Sequence, residues 1–200
     1  MPTKPYHHGD LQRALVRAAL QVLAEEGLEG LSLRGVARRA GVSRAAPYHY
    51  FSDKAELISA VTVACYERLA DTMRSTAEHA SVKPVDRLVL LGRIYVEFAA
   101  KDPLQFRLMH RPELFGTAGN SSIAASAASA FAVLREAVGL CHQEGLFRTG
   151  DADGNAIGCW CAVHGVAALW VDGRLSGEIG EPGDLGERVA RVFATGLMRA

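Results

Sequence analysis

Leu11, Leu15, Ala18 and Val22, with Ala14, Ala19 and Leu23 beside them, recur at spacings of three, four and seven, which predicts an amphipathic first helix that Gly27 stops. A second helix is expected to open at Ser32, whose hydroxyl can cap free N–H groups, with Leu31 and Val36 placed as a hydrophobic staple. It ends near Ala40-Gly41. Ser43 is the next cap candidate, and residues 43 to 51 are expected to form a third short helix. Ser52-Asp53 then starts a longer one whose apolar stripe is Leu57, Val61, Ala64/Cys65, Leu69 and Met73, with Asp53 and Glu56 spaced as a capping box.

Farther along, proline and glycine punctuate longer helical patterns. Pro84 opens a helix with Leu88, Leu91, Ile94, Tyr95 and Phe98 inward, and Asp102-Pro103 is a cap followed by proline at the first helical position. A short helix runs to about His110. Residues 121 to 145 and 153 to 174 predict an Ala-rich helix and a nearly uncharged one. The last helix, from Asp184 to Met198, sets Leu185, Val189, Val192, Phe193 and Leu197 against Glu187, Arg188 and Arg191.

The composition agrees with this pattern. Of 200 residues, 49% are apolar and only 7% aromatic, with Ala, Leu, Arg and Glu abundant, which favours an all-α chain with a sizeable core and excludes a disordered one. The expected fold is a three-helix module over residues 1–52 followed by a larger helical body over residues 53–200.

Formal charge is balanced, with 22 basic and 22 acidic residues, yet residues 1 to 55 hold eight basic and five acidic ones. The basic excess at one end fits a phosphate-binding module. No cationic start followed by an apolar run marks a secretory leader, so the expected location is the cytoplasm. The uncharged stretches 116–134 and 154–171 lack anchoring flanks and read as buried helices, with no membrane partner expected. Cys65, Cys141, Cys159 and Cys161 form no Cys-x-x-Cys pair and read as reduced thiols.

Residues 32 to 51 read SLRGVARRAGVSRAAPYHYF. Two short helices around Gly41-Val42-Ser43 have helix-turn-helix spacing, in which glycine tolerates the turn and Val42 plugs the angle. A recognition helix must be narrow where it enters a major groove. Ala45 and Ala46 leave that room, Arg44 can reach a guanine edge, and Tyr48, His49 and Lys54 supply phosphate contacts. Pro47 cannot donate an N–H, so the first turn of this helix is expected to loosen or begin later. Arg38 and Arg39 are further candidates for phosphate contact.

With Ser32-Leu-Arg34, Val36-Ala37, Ala40-Gly41-Val42-Ser43, Tyr48-His49-Tyr50-Phe51 and Lys54-x-x-Leu57, the chain resembles the tetracycline-repressor (TetR) family of transcriptional regulators over residues 10 to 60. Trp160-x-x-x-His164-Gly165, with Phe106-Arg-Leu-Met109 before it, resembles the Trp-His-Gly subgroup of that family. The resemblance implies that Ser32, Tyr48 and Lys54 touch phosphates and that Arg34, Arg44, Ala45 and Ala46 face the groove, with Ser43 at the turn. It implies a homodimer on a double-stranded operator, formed by the last two helices, with Leu185, Val189, Val192 and Phe193 at the interface. It further implies repression relieved by a small apolar effector, in a cavity bounded by Phe98, Met109, Trp160, His164 and Trp170.

Other readings carry less. Cys161 and His164 at i, i+3 could share a metal or serve a thiol-responsive regulator, with Cys141 and His142 nearby, but Cys159 and Cys161 point about 200° apart on a helix. Neither a metal nor a cofactor is expected. Gly165 reads as a place where a neighbouring helix comes close. No Gly-x-Ser-x-Gly, phosphate-binding glycine loop or His-Glu-x-x-His occurs, so no catalytic residue is named and an enzyme is not expected. A helical interaction adaptor without DNA affinity is the alternative, distinguished by whether DNA retention falls steeply with salt.

Overall fold

The computed structural model describes residues 8–79, 83–114, 121–147 and 151–198. Eight α-helices follow one another: α1 (His8–Gly30), α2 (Leu33–Ala40), α3 (Lys54–His79), α4 (Pro84–Lys101), α5 (Pro103–Met109), α6 (Ser121–Gln143), α7 (Ala152–Val171) and α8 (Pro182–Leu197). The all-α expectation holds. Pro84 opens α4 as the sequence predicts, whereas α8 begins at Pro182, two residues before the expected Asp184, and α7 is capped by Asp151, which accepts the Gly154 N–H at 2.6 Å. Gly27, at φ 71° and ψ −173°, breaks α1 where the sequence placed its stop.

Contacts divide the chain into two compact units, one within residues 1–65 and 104–124, the other within 66–103 and 125–200. In the first, Leu15, Leu23, Leu31, Val36, Phe51 and Leu57 are almost wholly buried and hold α1, α2 and the start of α3 around one small core. The capping box at α3 forms. Asp53 accepts the Glu56 N–H at 2.9 Å, and the Glu56 carboxylate reaches back to the Ser52 N–H at 2.7 Å.

The second unit is organised by the crossing of α4 and α8, which approach through small residues. A Cβ added to Gly92 would lie 2.6 Å from the Ala190 Cβ, and one added to Gly186 would lie 2.6 Å from the Gly92 carbonyl. At Gly165 no described atom outside its own helix lies within 4 Å of an added Cβ, so within the protomer the close approach falls at Gly92 and Gly186. Arg93 bonds Asp184 at 2.7 Å and Glu97 at 2.8 Å, while Arg191 reaches Glu187 and Asp86, so an ionic lattice lies along the same crossing. Such exposed pairs add little individually and mainly fix register.

Helices α6 and α7 are each long and apolar enough to cross a membrane by length and composition, with 33% and 28% of those windows buried. α7 therefore keeps much of an apolar surface outside its own protomer's core.

Candidate functional site

The turn after α2 is set by local chemistry. Ser32 Oγ accepts the Gly35 N–H at 3.1 Å and starts the helix. Gly41, at φ 69°, ends it in a left-handed turn, where its own N–H and that of Val42 return to the Arg38 and Ala37 carbonyls. A residue with a Cβ would be strained at that φ.

Beyond the turn the structure departs from the expected α-helix over 43–51. The segment is a 3-10 helix, Ala46–His49, without a side-chain cap, so Ser43 is not a helix cap. The reason is Pro47. It cannot donate to the Ser43 carbonyl four residues back, and that carbonyl instead accepts the Ala46 N–H at 3.0 Å. The tighter winding redistributes the side chains. Ala46 and Pro47 turn inward at the edge of the core, so Ala46 is corrected from a groove-facing to a buried residue. Ser43, Arg44, Ala45, Tyr48 and His49 remain exposed, Tyr48 at 51%.

The basic side chains of this unit have different employments. Arg39 forms a two-pronged ion pair with Glu25, one arm at 2.7 Å, which holds the Glu25 carboxyl below its usual range through that hydrogen bond. Lys54 Nζ donates to the Leu28 carbonyl at 3.0 Å, closing the loop behind the Gly27 break. Arg34, Arg38 and Arg44 are exposed and have no side-chain partner among the described residues. These guanidinium groups, two on α2 and one just after the turn, can meet phosphates and base edges without first breaking an ion pair to a described residue.

In the second unit, Trp160 and His164 stand one turn apart on α7 and meet through a residue that sequence reasoning placed only in the core. The Tyr95 hydroxyl of α4 lies 2.8 Å from His164 Nδ1 and accepts the Trp160 Nε1–H at 3.3 Å. Full satisfaction of this chain has Tyr95 donating to Nδ1, which leaves the His164 proton on Nε2. Burial holds the Tyr95 hydroxyl well above its ordinary pKa, so it stays protonated and able to donate. Phe131 leans on the Trp160 ring at 5.8 Å. Phe98 is buried beneath the Arg68 guanidinium, 4.8 Å from its ring centre, and Trp170 is half-buried near the end of α7. Met109 is fully buried in the first unit.

Replacing Tyr95 with Phe removes the hydroxyl that pairs with both the Trp160 N–H and His164 Nδ1. A loss of about 1–2 kcal/mol in urea unfolding is expected, and an unchanged midpoint would show that the hydroxyl carries no structural share.

The last helices sort the interface candidates. Leu185 is 6% exposed and belongs to the protomer's own core, which corrects its assignment to an intersubunit surface. Phe193 is half-buried and packs over Gly158, where an added Cβ would lie 2.6 Å from the ring. Val189 is half-buried, and Val192 stands out at 71% exposure. Cys141 and Cys159 are buried, which pushes their thiols up to about 11 and about 12, and Cys161 is exposed. No group of three or more metal-ligating side chains gathers among the described residues, and His164 spends Nδ1 on Tyr95.

Residues 15–61 match the family described as "Bacterial regulatory proteins, tetR family", and residues 88–193 match "Tetracyclin repressor-like, C-terminal domain". The transcriptional regulator CymR of Pseudomonas putida is 41% identical over 80 residues, 40% of this chain and 38% of that protein. BetI of Rhizobium meliloti is 35% identical over 83 residues, 42% of this chain and 40% of that one. The chain thus aligns with about two fifths of the length of these curated relatives. Among solved structures, a protein of unknown function from Rhodococcus sp. RHA1 is 29% identical and superposes with a TM-score of 0.85 over 98% of this chain and 100% of that one. The Bacillus subtilis regulator FadR, solved with stearoyl-CoA, has the same fold at 17% identity and a TM-score of 0.73, over 92% of this chain and 98% of that one. With both parts of its length matched and the second match alone spanning more than half of it, this chain belongs to the tetR family of bacterial regulatory proteins.

Proposed function

We propose that this protein is a cytoplasmic repressor that binds a pseudo-palindromic operator as a homodimer and releases it when a small apolar effector binds. The observation that carries the reading is the exposed surface of the helix-turn-helix, where Arg34 on α2 and Arg44 beside Tyr48 after the turn carry guanidinium groups with no side-chain partner among the described residues. Ser32, Ser43, Tyr48, His49 and Lys54 are assigned to the sugar-phosphate backbone. Arg34, Arg44 and Ala45 are assigned to the groove. Ser32 and Lys54 serve their local caps as well, so their phosphate contacts are additions to an existing structural role.

Dimerisation is supported by the outer surface of α7 and α8. Ile157, Trp160 and Cys161, at i, i+3 and i+4, share a face of α7, with Ile157 50% and Trp160 38% exposed and Val192 71% exposed on α8. Gly165, where no described atom outside its own helix lies within 4 Å of an added Cβ, would let a partner helix approach. A monomeric protein gains nothing from such a surface, whereas a two-fold mate would remove it from water. Val192→Asp is therefore expected to shift gel-filtration elution at micromolar concentration from dimer to monomer. A mutant eluting with the unaltered dimer would remove α8 from the interface.

For the effector, Phe98, Trp160, His164 and Trp170 of the second unit remain the proposed contacts. The stearoyl-CoA bound by the Bacillus subtilis neighbour supports an effector with an apolar body. A functional division at residues 52 and 53, with α3 beginning at Lys54 directly after the recognition segment, would let an effector that acts on α3 widen the spacing of two recognition segments about one DNA turn apart.

The test is fluorescence anisotropy on intergenic DNA beside the protein's own gene, at about 50 and 200 mM salt with unrelated DNA as competitor. Tight, competitor-resistant binding that weakens with salt is expected. Absence of binding at both salt concentrations would favour the helical adaptor.

A further inference from the structure

Away from both sites, the second unit carries a cleft of about 450 Å³ lined by Arg74 of α3, Arg87 and Leu91 of α4, and Val133, Ala137 and Leu140 of α6, with Glu136, Gly139 and Gln143 at its edge. Its volume lies within the range of small-molecule sites. Leu91, Val133 and Ala137 are buried at the base, and the spacing of Val133, Ala137 and Leu140 lays an apolar strip along one face of α6.

The polar equipment is unequal. Arg74 is occupied, with one nitrogen 3.3 Å from the Asp71 carboxylate and another donating to Ser129 Oγ at 2.9 Å. The Arg87 side chain is different. Its Nε–H is buried without a hydrogen-bond partner, the one such side-chain atom among the described residues, and its guanidinium makes no ion pair there. Glu136 is the nearby carboxylate of the lining, and it stands beyond salt-bridge distance from Arg87. A buried donor left unmade is costly, and native proteins satisfy almost all of them. A guanidinium edge beside apolar walls is matched by a planar anion attached to an apolar body.

We propose that this cleft binds a monocarboxylate with an aliphatic body, its carboxylate on Arg87 and its chain along Leu91, Val133 and Leu140. Charge selects the monoanion. With Arg74 committed to Asp71 and Glu136 at the rim, a single uncompensated cation faces the cleft, which suits one negative charge better than a phosphate dianion. This site is separate from the Tyr95–Trp160–His164 cluster. Its occupancy does not rest on the repressor reading.

Isothermal titration of the full-length protein without DNA tests it, using octanoate, 1-octanol and octyl phosphate as probes. Saturable octanoate binding at micromolar to sub-millimolar concentration is expected, at least tenfold tighter than either comparison ligand. Arg87→Met should weaken octanoate at least tenfold while leaving the unliganded protein folded by circular dichroism, because it removes a stranded donor and keeps the aliphatic stem. Should that variant fail to fold, Arg87→Lys, which keeps the charge and loses the planar fork, is expected to weaken octanoate severalfold. Equal binding of 1-octanol, preference for octyl phosphate, no saturation, or octanoate affinity unchanged in the folded Arg87 variant would each overturn the assignment. Because no operator is present, failure here leaves the DNA-release reading untouched, and failure of DNA release leaves this titration valid.

Discussion

Replacing Gly186 with valine is expected to destabilise the second unit by about 3 kcal/mol or more, or to prevent its folding. A Cβ at that position would lie 2.6 Å from the Gly92 carbonyl oxygen and 2.7 Å from the Val96 side chain. A carbonyl oxygen within α4 cannot rotate aside as a side-chain tip can, so the whole helix must move. That movement would part the Gly92–Ala190 contact and pull Arg93 and Arg191 from Asp184 and Asp86. Urea unfolding followed by circular dichroism measures the loss. Gly139→Ala, on a helix where an added Cβ meets nothing within 4 Å, is the control and should stabilise by up to about 1 kcal/mol. A Gly186→Val protein as stable as the parent would mean that the α4–α8 crossing is not closely packed.

On the DNA side, Arg44→Ala is expected to reduce operator affinity by roughly 5- to 150-fold, the range of about 1–3 kcal/mol for a good arginine–guanine contact. The same change at Arg39 should matter less than about threefold, because its guanidinium already serves Glu25. The contrast follows from partnership rather than from position, since both arginines flank the same turn and both are exposed. Anisotropy titrations of the two variants on one operator decide it. If Arg39→Ala proved the more damaging, the ion pair with Glu25 would have to open on DNA, and the assignment of the groove-facing arginine would move with it.

These two cases also divide what could be read from the chain. The order and type of the helices follow from local signals that act within a few residues. The Pro84 and Pro182 first turns, the Ser32 cap and the Gly41 stop are each a matter of backbone geometry and a neighbouring donor. The Pro47 anomaly was legible as a missing N–H, and the structure turned that deficit into a 3-10 helix that buries Ala46. Its direction could be foreseen. The resulting change of face could not, because a 3-10 turn places residues 120° apart and an α turn 100°.

The second unit was less legible because its informative contacts join distant positions. Leu185 and Val192 occupy the same amphipathic helix and look alike in a periodicity argument, yet one is 6% and the other 71% exposed. Tyr95 read as core, and only the packing of α4 against α7 revealed that its hydroxyl joins Trp160 to His164. Within the protomer Gly92 and Gly186, rather than Gly165, make the close approach, since glycine records a need for space without recording what fills it.

The sequence by itself determined an all-α chain, the order of its helices, the helix-turn-helix signature and the basic bias of its first 55 residues, because capping, periodicity and charge are local and additive. Tertiary structure alone decided which arginines remain unpaired, which face of α8 is outward, and where Arg87 keeps a donor without an acceptor. Those depend on side chains far apart in the chain competing for the same space and the same partners, a competition settled only when the helices pack.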